Sequence, residues 1–126
     1  MAKHNEIGKI GEEIARTFLM KHGFSVKSQN EAVRYGEIDI IAEKDSILHF
    51  IEVKSIEVRN FDSIKSLKIR PEDNMTIFKR FKLKRTINIY LSRLSDKKKI
   101  TVDLVCIYIN METREGKVKF VENIEL

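Results

Sequence analysis

The sequence predicts an α/β fold in which a mixed central sheet is flanked by two helices, and three observations predict it. Ile7, Ile10, Ile14 and Phe18 recur at three- and four-residue steps, the spacing of one helix face. Gly36 to Ala42 and Ile47 to Lys54 are apolar runs on either side of the turn Lys44-Asp45-Ser46, and they read as the limbs of a hairpin. A second helical stripe, Leu83, Ile87, Tyr90, Leu91 and Leu94, separates that hairpin from another long apolar run. The order is α-β-β-β-α-β-β.

Taken in order, the first helix covers about residues 5–22 and stops at Gly23, just after Lys21 and His22. Gly8, Gly11, Ala15 and Leu19 widen its apolar arc, and the two glycines predict a close approach to the sheet. Glu12 falls at the edge of that arc, whereas Glu13 points away with Lys9 and Arg16. Phe24 to Ser28 is a short strand, followed by a polar stretch through Tyr35. After the hairpin, Ser55 to Asp73 is a long polar connection whose Pro71-Glu72-Asp73-Asn74 cluster caps the second helix, which runs to about Leu94. A turn at residues 95–99 leads to a strand from Ile100 to Ile109. A turn at Gly116 precedes the last strand, Lys117 to Val121.

At 126 residues the chain has room for one domain, residues 1–126, with a core that needs no disulfide or metal staple. Its longest apolar run, Leu104 to Ile109, is far shorter than the roughly 20 residues that cross a bilayer, and no apolar leader opens the sequence. The expected setting is cytoplasmic, with no membrane association. Cys106 stands alone inside an apolar run and reads as a core residue, and the histidines His4, His22 and His49 show no metal-ligand spacing. No Gly-rich phosphate loop or nucleophile elbow is present. Any metal must therefore be held by carboxylates.

Charge is unevenly placed. The net charge is +5, yet residues 64–99 hold twelve basic residues against three acids. A block this basic suits a polyanion, because Lys and Arg displace counterions from phosphates, and it equally suits a solvated helix face. Lys79, Lys82, Lys84 and Arg85 are the candidates for phosphate contact. Phe78 and Phe81 fit the core or a dimer contact better than base stacking. Arg34 and Tyr35, just before the Asp39 strand, read as turn residues, with contact to a base or sugar as the alternative.

The informative acids are those placed within apolar strands. Asp39 lies between Ile38 and Ile40, and Glu52 between Ile51 and Val53. An ionised carboxylate buried without a partner is costly, so such residues protonate or find a cation. Lys54, two residues beyond Glu52, projects from the same strand face. An acid on one strand with Glu-x-Lys on the next offers oxygens for Mg²⁺ or Mn²⁺ and an ammonium beside them, which phosphodiester hydrolysis requires. An Asp39–Lys54 ion pair is the structural alternative.

Gly8-x-x-Gly11-Glu12-x-x-Ala15, Gly36-Glu37-Ile38-Asp39-Ile40-Ile41-Ala42 and Phe50-Ile51-Glu52-Val53-Lys54 together resemble the YraN-like family of bacterial proteins. That family is regarded as a set of predicted endonucleases, distantly similar to Holliday-junction resolvases and to the PD-(D/E)XK nucleases. The resemblance continues through Lys79, Tyr90-Leu91 and Asp103-Leu104-Val105 and covers most of the chain. It implies a restriction-endonuclease-like core and metal-dependent hydrolysis of DNA, including branched or flapped DNA. Asp39, Glu52 and Glu12 would be the metal-site carboxylates, Lys54 the catalytic lysine and Glu37 a supporting residue. The resolvase likeness also implies a homodimer. Ile38 replaces the usual proline before the strand aspartate, and Thr101 stands where the family commonly has arginine. Two other readings stay open: a non-catalytic nucleic-acid-binding module on a nuclease fold, and a structural protein-interaction domain.

Overall fold

The computed structural model describes residues 2–62 and 75–126, with side chains from Glu6 onward. It contains helix α1 (Ala2–Lys21), strands β1 (Ser25–Val33), β2 (Gly36–Lys44) and β3 (Ile47–Glu57), helix α2 (Ile77–Leu91), and strands β4 (Lys99–Asn110) and β5 (Glu115–Val121). One five-stranded sheet runs in the order β1-β2-β3-β4-β5. Only the β3–β4 pair is parallel, and α2 lies on the crossover that such a pair requires. The expected α/β fold, a mixed sheet flanked by two helices in the order α-β-β-β-α-β-β, is the one observed.

Each helix covers one face of the sheet. Ile7, Ala15 and Leu19 of α1 pack on Ile40, Ala42, Ile51, Val105, Ile107 and Ile109. Ile87 of α2, with Leu83, Tyr90 and Leu91, packs on Ile38, Ile41, Leu48, Phe50 and Val102. β4 supplies both layers, and Val102 through Ile109 are buried without interruption. This is the pattern of a central strand covered on both sides.

Several boundaries differ from the sequence expectation. β1 continues through the polar stretch to Val33, because every residue gains a backbone partner on β2, from Ser25 opposite Glu43 to Val33 opposite Gly36, apart from a bulge between Val26 and Ser28 and an interruption at Asn30. As an edge strand it needs no apolar alternation. β3 likewise runs past Ser55 to Glu57, and the Val58 N–H donates to Ile109 O (2.8 Å) while Val58 and Phe61 pack with Tyr108. The proposed capping cluster Pro71-Glu72-Asp73-Asn74 lies outside the described residues. The observed N-cap of α2 is Thr76, whose Oγ1 accepts from Lys79 N. Gly116 is not a turn residue. It sits in β5, where an added Cβ would lie 2.8 Å from Ile14 Cδ1, and Arg114 takes the left-handed turn position instead (φ 63°).

Of the two α1 glycines, only Gly11 serves close approach. Gly8 has open space around it, whereas a Cβ on Gly11 would collide with Ser55 Oγ and stand 2.9 Å from Ser55 Cβ. Gly11→Ala is expected to destabilise the protein by about 1–3 kcal/mol through overpacking. Adding Ser55→Gly should recover part of that loss. Chemical denaturation of both variants checks this; equal midpoints for wild type and Gly11→Ala would show that α1 shifts freely.

Candidate active site

The site grows from a break in strand alternation. In β2, Ile40 and Ala42 face α1 while Ile38 and Ile41 face α2. Ile38 and Ile40 are two residues apart and should share a face, so the strand turns at Asp39. The β2–β3 ladder runs regularly from Lys44–Ile47 to Ile40–Ile51 and stops there. Asp39 itself completes the pairing: its Oδ2 accepts the Val53 N–H at 2.9 Å, which would otherwise face Ile38. The carboxylate therefore sits in the plane of the sheet, accessible to charges on both faces.

Four acids gather around this opening. Glu52 projects toward α2 beside Asp39, and the two carboxyls are coupled. Glu12 of α1 and Glu37 at the start of β2 act on Asp39 through their charges. Asn30 links these two: with its amide oriented to donate, Nδ2 lies 3.2 Å from Glu12 Oε1 and 3.0 Å from Glu37 Oε1. Burial pushes the Asp39 carboxyl up to about 6, the Val53 N–H opposing, with Glu12 and Glu37 adding to the rise. Burial and the neighbouring Asp39 charge push Glu52 up to about 7, against the pull of Lys79. Two interacting carboxyls with raised pKa values form a site poised for proton or cation exchange.

Helix α2 forms the other wall. Gly36 lets it close in, since a Cβ there would stand 2.7 Å from the buried Thr86 Oγ1. Thr86 Oγ1 in turn donates to Lys82 O (2.9 Å). The result is a cavity of about 190 Å³ lined by Gly36, Glu37, Glu52, Lys79, Lys82 and Thr86, among others. Carboxylates lie on one side and lysines on the other.

The sequence-derived site residues are brought together unequally. Asp39 and Glu52 meet, and Glu12 and Glu37 stand close enough to perturb them. Glu12 is half-buried and Glu13 exposed, as the helical arc required. Among the described residues, however, no group of three or more His, Cys, Asp or Glu side chains stands arranged to hold a metal ion. Glu12, the third residue of the expected trio with Asp39 and Glu52, is contacted by Asn30 and acts on Asp39 through its charge. The pair alone fits Mg²⁺ by its donor chemistry: this ion commonly takes one or two carboxylates and fills its other positions with water and substrate phosphate. Lys54 shares the α2 face with Glu52 but pairs with none of the described carboxylates, which sets aside the Asp39–Lys54 ion pair. The cation whose charge bears on Glu52 is Lys79. Lys84 and Arg85 face a separate, neighbouring cavity. Phe78 and Phe81 are 75% and 67% exposed, so neither belongs to the core.

Asn30 and the pairing of Lys79 with Glu52 went unread in the sequence. Asn30 has φ 51°, a conformation that Asn tolerates better than most residues, and an asparagine inside a polar strand was its one available signal.

A half-buried pair of interacting carboxyls, set where two strands of a mixed sheet part and faced by a basic helix, defines an α/β protein with a paired-carboxylate site. The model of the family described as uncharacterised protein family UPF0102 matches residues 11–107. The chain is 38% identical over 124 residues to a UPF0102 protein of Campylobacter hominis, covering 98% of this chain and 97% of that one. It is also 38% identical over 122 residues to one from Helicobacter pylori (97% and 93% covered) and 34% identical over 114 residues to one from Campylobacter fetus (90% and 88%). The chain belongs to the UPF0102 family. No helix among the described residues is long and apolar enough to cross a membrane.

Proposed function

We propose that the protein is a metal-dependent endonuclease that hydrolyses DNA phosphodiester bonds, including those of branched or flapped DNA, on a restriction-endonuclease-like core. The observation that carries this reading is Glu52, coupled to Asp39, facing Lys79 and Lys82 across one cavity. Asp39 and Glu52 would hold Mg²⁺ or Mn²⁺, which supplies Lewis acidity toward a phosphate oxygen and lowers the pKa of a water. Asp39 is oriented for this by Val53, its second oxygen remaining for a ligand or for Glu52. Lys79 and Lys82 would bind the phosphate diester, and Lys54, on the same face as Glu52, would stabilise charge developing at the scissile group. Glu12 acts through its charge on Asp39, and Glu37 through Asn30 and the pair.

Cleavage of a labelled panel (duplex, single strand, flap and four-way junction) with Mg²⁺ or Mn²⁺, run beside Asp39→Ala, tests the proposal. Cleavage lost in the variant supports it; no cleavage of any substrate by the wild type overturns it. A second reading, a nucleic-acid-binding module without turnover, is favoured by Lys79 and Lys82 lining the cavity and predicts binding indifferent to Mg²⁺. On either reading, replacing Lys79 and Lys82 with Ala should lower the salt slope of DNA affinity by about one per lysine, measured by anisotropy titration. An unchanged slope would move the phosphate path elsewhere.

A further inference from the structure

Beside the carboxylate cavity lies a second and larger one, of about 540 Å³, lined by Tyr35, Phe81, Lys84, Arg85, Asn88, Ile89 and Ser92. The two share the same wall of α2 and the same corner of the β1–β2 turn: Tyr35 precedes Gly36, and Phe81 and Lys84 flank Lys82 and Leu83. Tyr35 is 40% exposed at the mouth. The Arg85 guanidinium sits over its ring, 3.8 Å from the centroid, and Arg34 approaches at 5.1 Å. Phe81 adds a second exposed ring.

We infer that this cavity is a stacking site for an unpaired nucleobase, holding single-stranded nucleic acid next to the carboxylate pair. The inference rests on the nucleic-acid reading of that pair and names the substrate form it takes. Three features support it. The volume lies within the range of small-molecule sites, whereas the 190 Å³ beside Glu52 suits a phosphate group and an ion. Aromatic rings and guanidinium planes are the surfaces on which unpaired bases stack, and every base has a π face, so such a site is tolerant of sequence. Lys84 and Arg85 line the cavity and Arg34 stands by the Tyr35 ring, which supplies the charge a phosphate backbone needs, and among the lining residues no carboxylate opposes them. A protein partner or a second copy of this chain would use the exposed rings but would leave that cationic rim unmatched unless it were itself acidic.

Anisotropy titration of the full chain with fluorescein-labelled oligo(dT), oligo(rU) and a duplex of equal length tests this. Tyr35→Leu keeps an apolar side chain and removes the π face; Phe81→Ser and Tyr35→Phe serve as second loss variant and rescue. Single-strand affinity should fall about ten-fold in Tyr35→Leu and in Phe81→Ser, stay near wild type in Tyr35→Phe, and fall far less for the duplex. A loss with both oligomers, or with one alone, supports the site and tells whether the sugar matters. Equal losses for duplex and single strand overturn it, as does unchanged single-strand affinity together with altered self-association on sedimentation. Failure here leaves Asp39-dependent cleavage untouched, and a Tyr35-dependent single-strand affinity without any cleavage upholds the stacking site while removing the nuclease reading.

Discussion

Asp39→Asn is expected to abolish cleavage and, without metal, to make the protein more stable than wild type above pH 7. The side-chain oxygen of Asn can still accept the Val53 N–H, so that hydrogen bond is retained while one charge is removed. The sign of the pH dependence follows from the raised pKa values, about 6 for Asp39 and about 7 for Glu52. A carboxyl whose pKa is higher in the folded than in the unfolded chain contributes stability that is complete below pH 4 and is lost as pH rises through 6 to 7. Wild type should therefore weaken across that interval, and Asp39→Asn much less. At about 1.4 kcal/mol per pKa unit, discounted because both groups are only partly buried, the gain at pH 8 is about 1–2 kcal/mol. Thermal melts between pH 5 and pH 8 measure it. Mg²⁺ should raise the melting temperature of wild type at pH 8 and leave Asp39→Asn unmoved, a readout independent of turnover. A variant less stable than wild type at every pH would show that the ionised carboxylate is structural.

The second large effect is expected at Asp103→Ala. Asp103 is fully buried in β4, on the face covered by α1. Its Oδ2 accepts from His49 Nδ1 at 2.6 Å; the carboxylate only accepts, so that nitrogen carries the hydrogen. Its Oδ1 accepts from the Asn123 N–H at 2.9 Å and from Thr101 Oγ1 at 3.3 Å. Asp103 thus ties β3 to β4 and, through Asn123, secures the segment after β5, where the Ile124 N–H also donates to Val102 O. Alanine would leave these donors without their acceptor in the interior and should cost about 3–5 kcal/mol. Denaturant unfolding checks this, with Asp103→Asn, which keeps one acceptor, losing less. A loss under 1 kcal/mol would mean that water replaces the carboxylate. Thr101 supplies its hydroxyl to Asp103.

Helix α1, the β2–β3 hairpin, the α2 stripe and β4 were legible because their apolar periods are local and strong. Ile87 and its stripe face the sheet, and Cys106 is buried, as the sequence implied. Asp39 and Glu52 were legible for a related reason: an acid in an apolar run has few stable options. β1 was half-read, since an edge strand is held by backbone pairing that leaves little imprint on side-chain pattern.

By itself, then, the sequence determined the element order, the two apolar faces and the two carboxylates that must find each other. The tertiary structure alone decided how they meet. It turned β2 at Asp39 so that the carboxylate replaces a ladder bond to Val53, engaged Glu12 with Asn30, set Lys79 rather than Lys54 against Glu52, and joined His49 to Asp103 across 54 residues. Each of these is a polar interaction between segments apart in sequence. Hydrophobic periodicity specifies which face of an element is buried, but the register and approach that bring two polar groups to within 3 Å arise only once the whole sheet has packed.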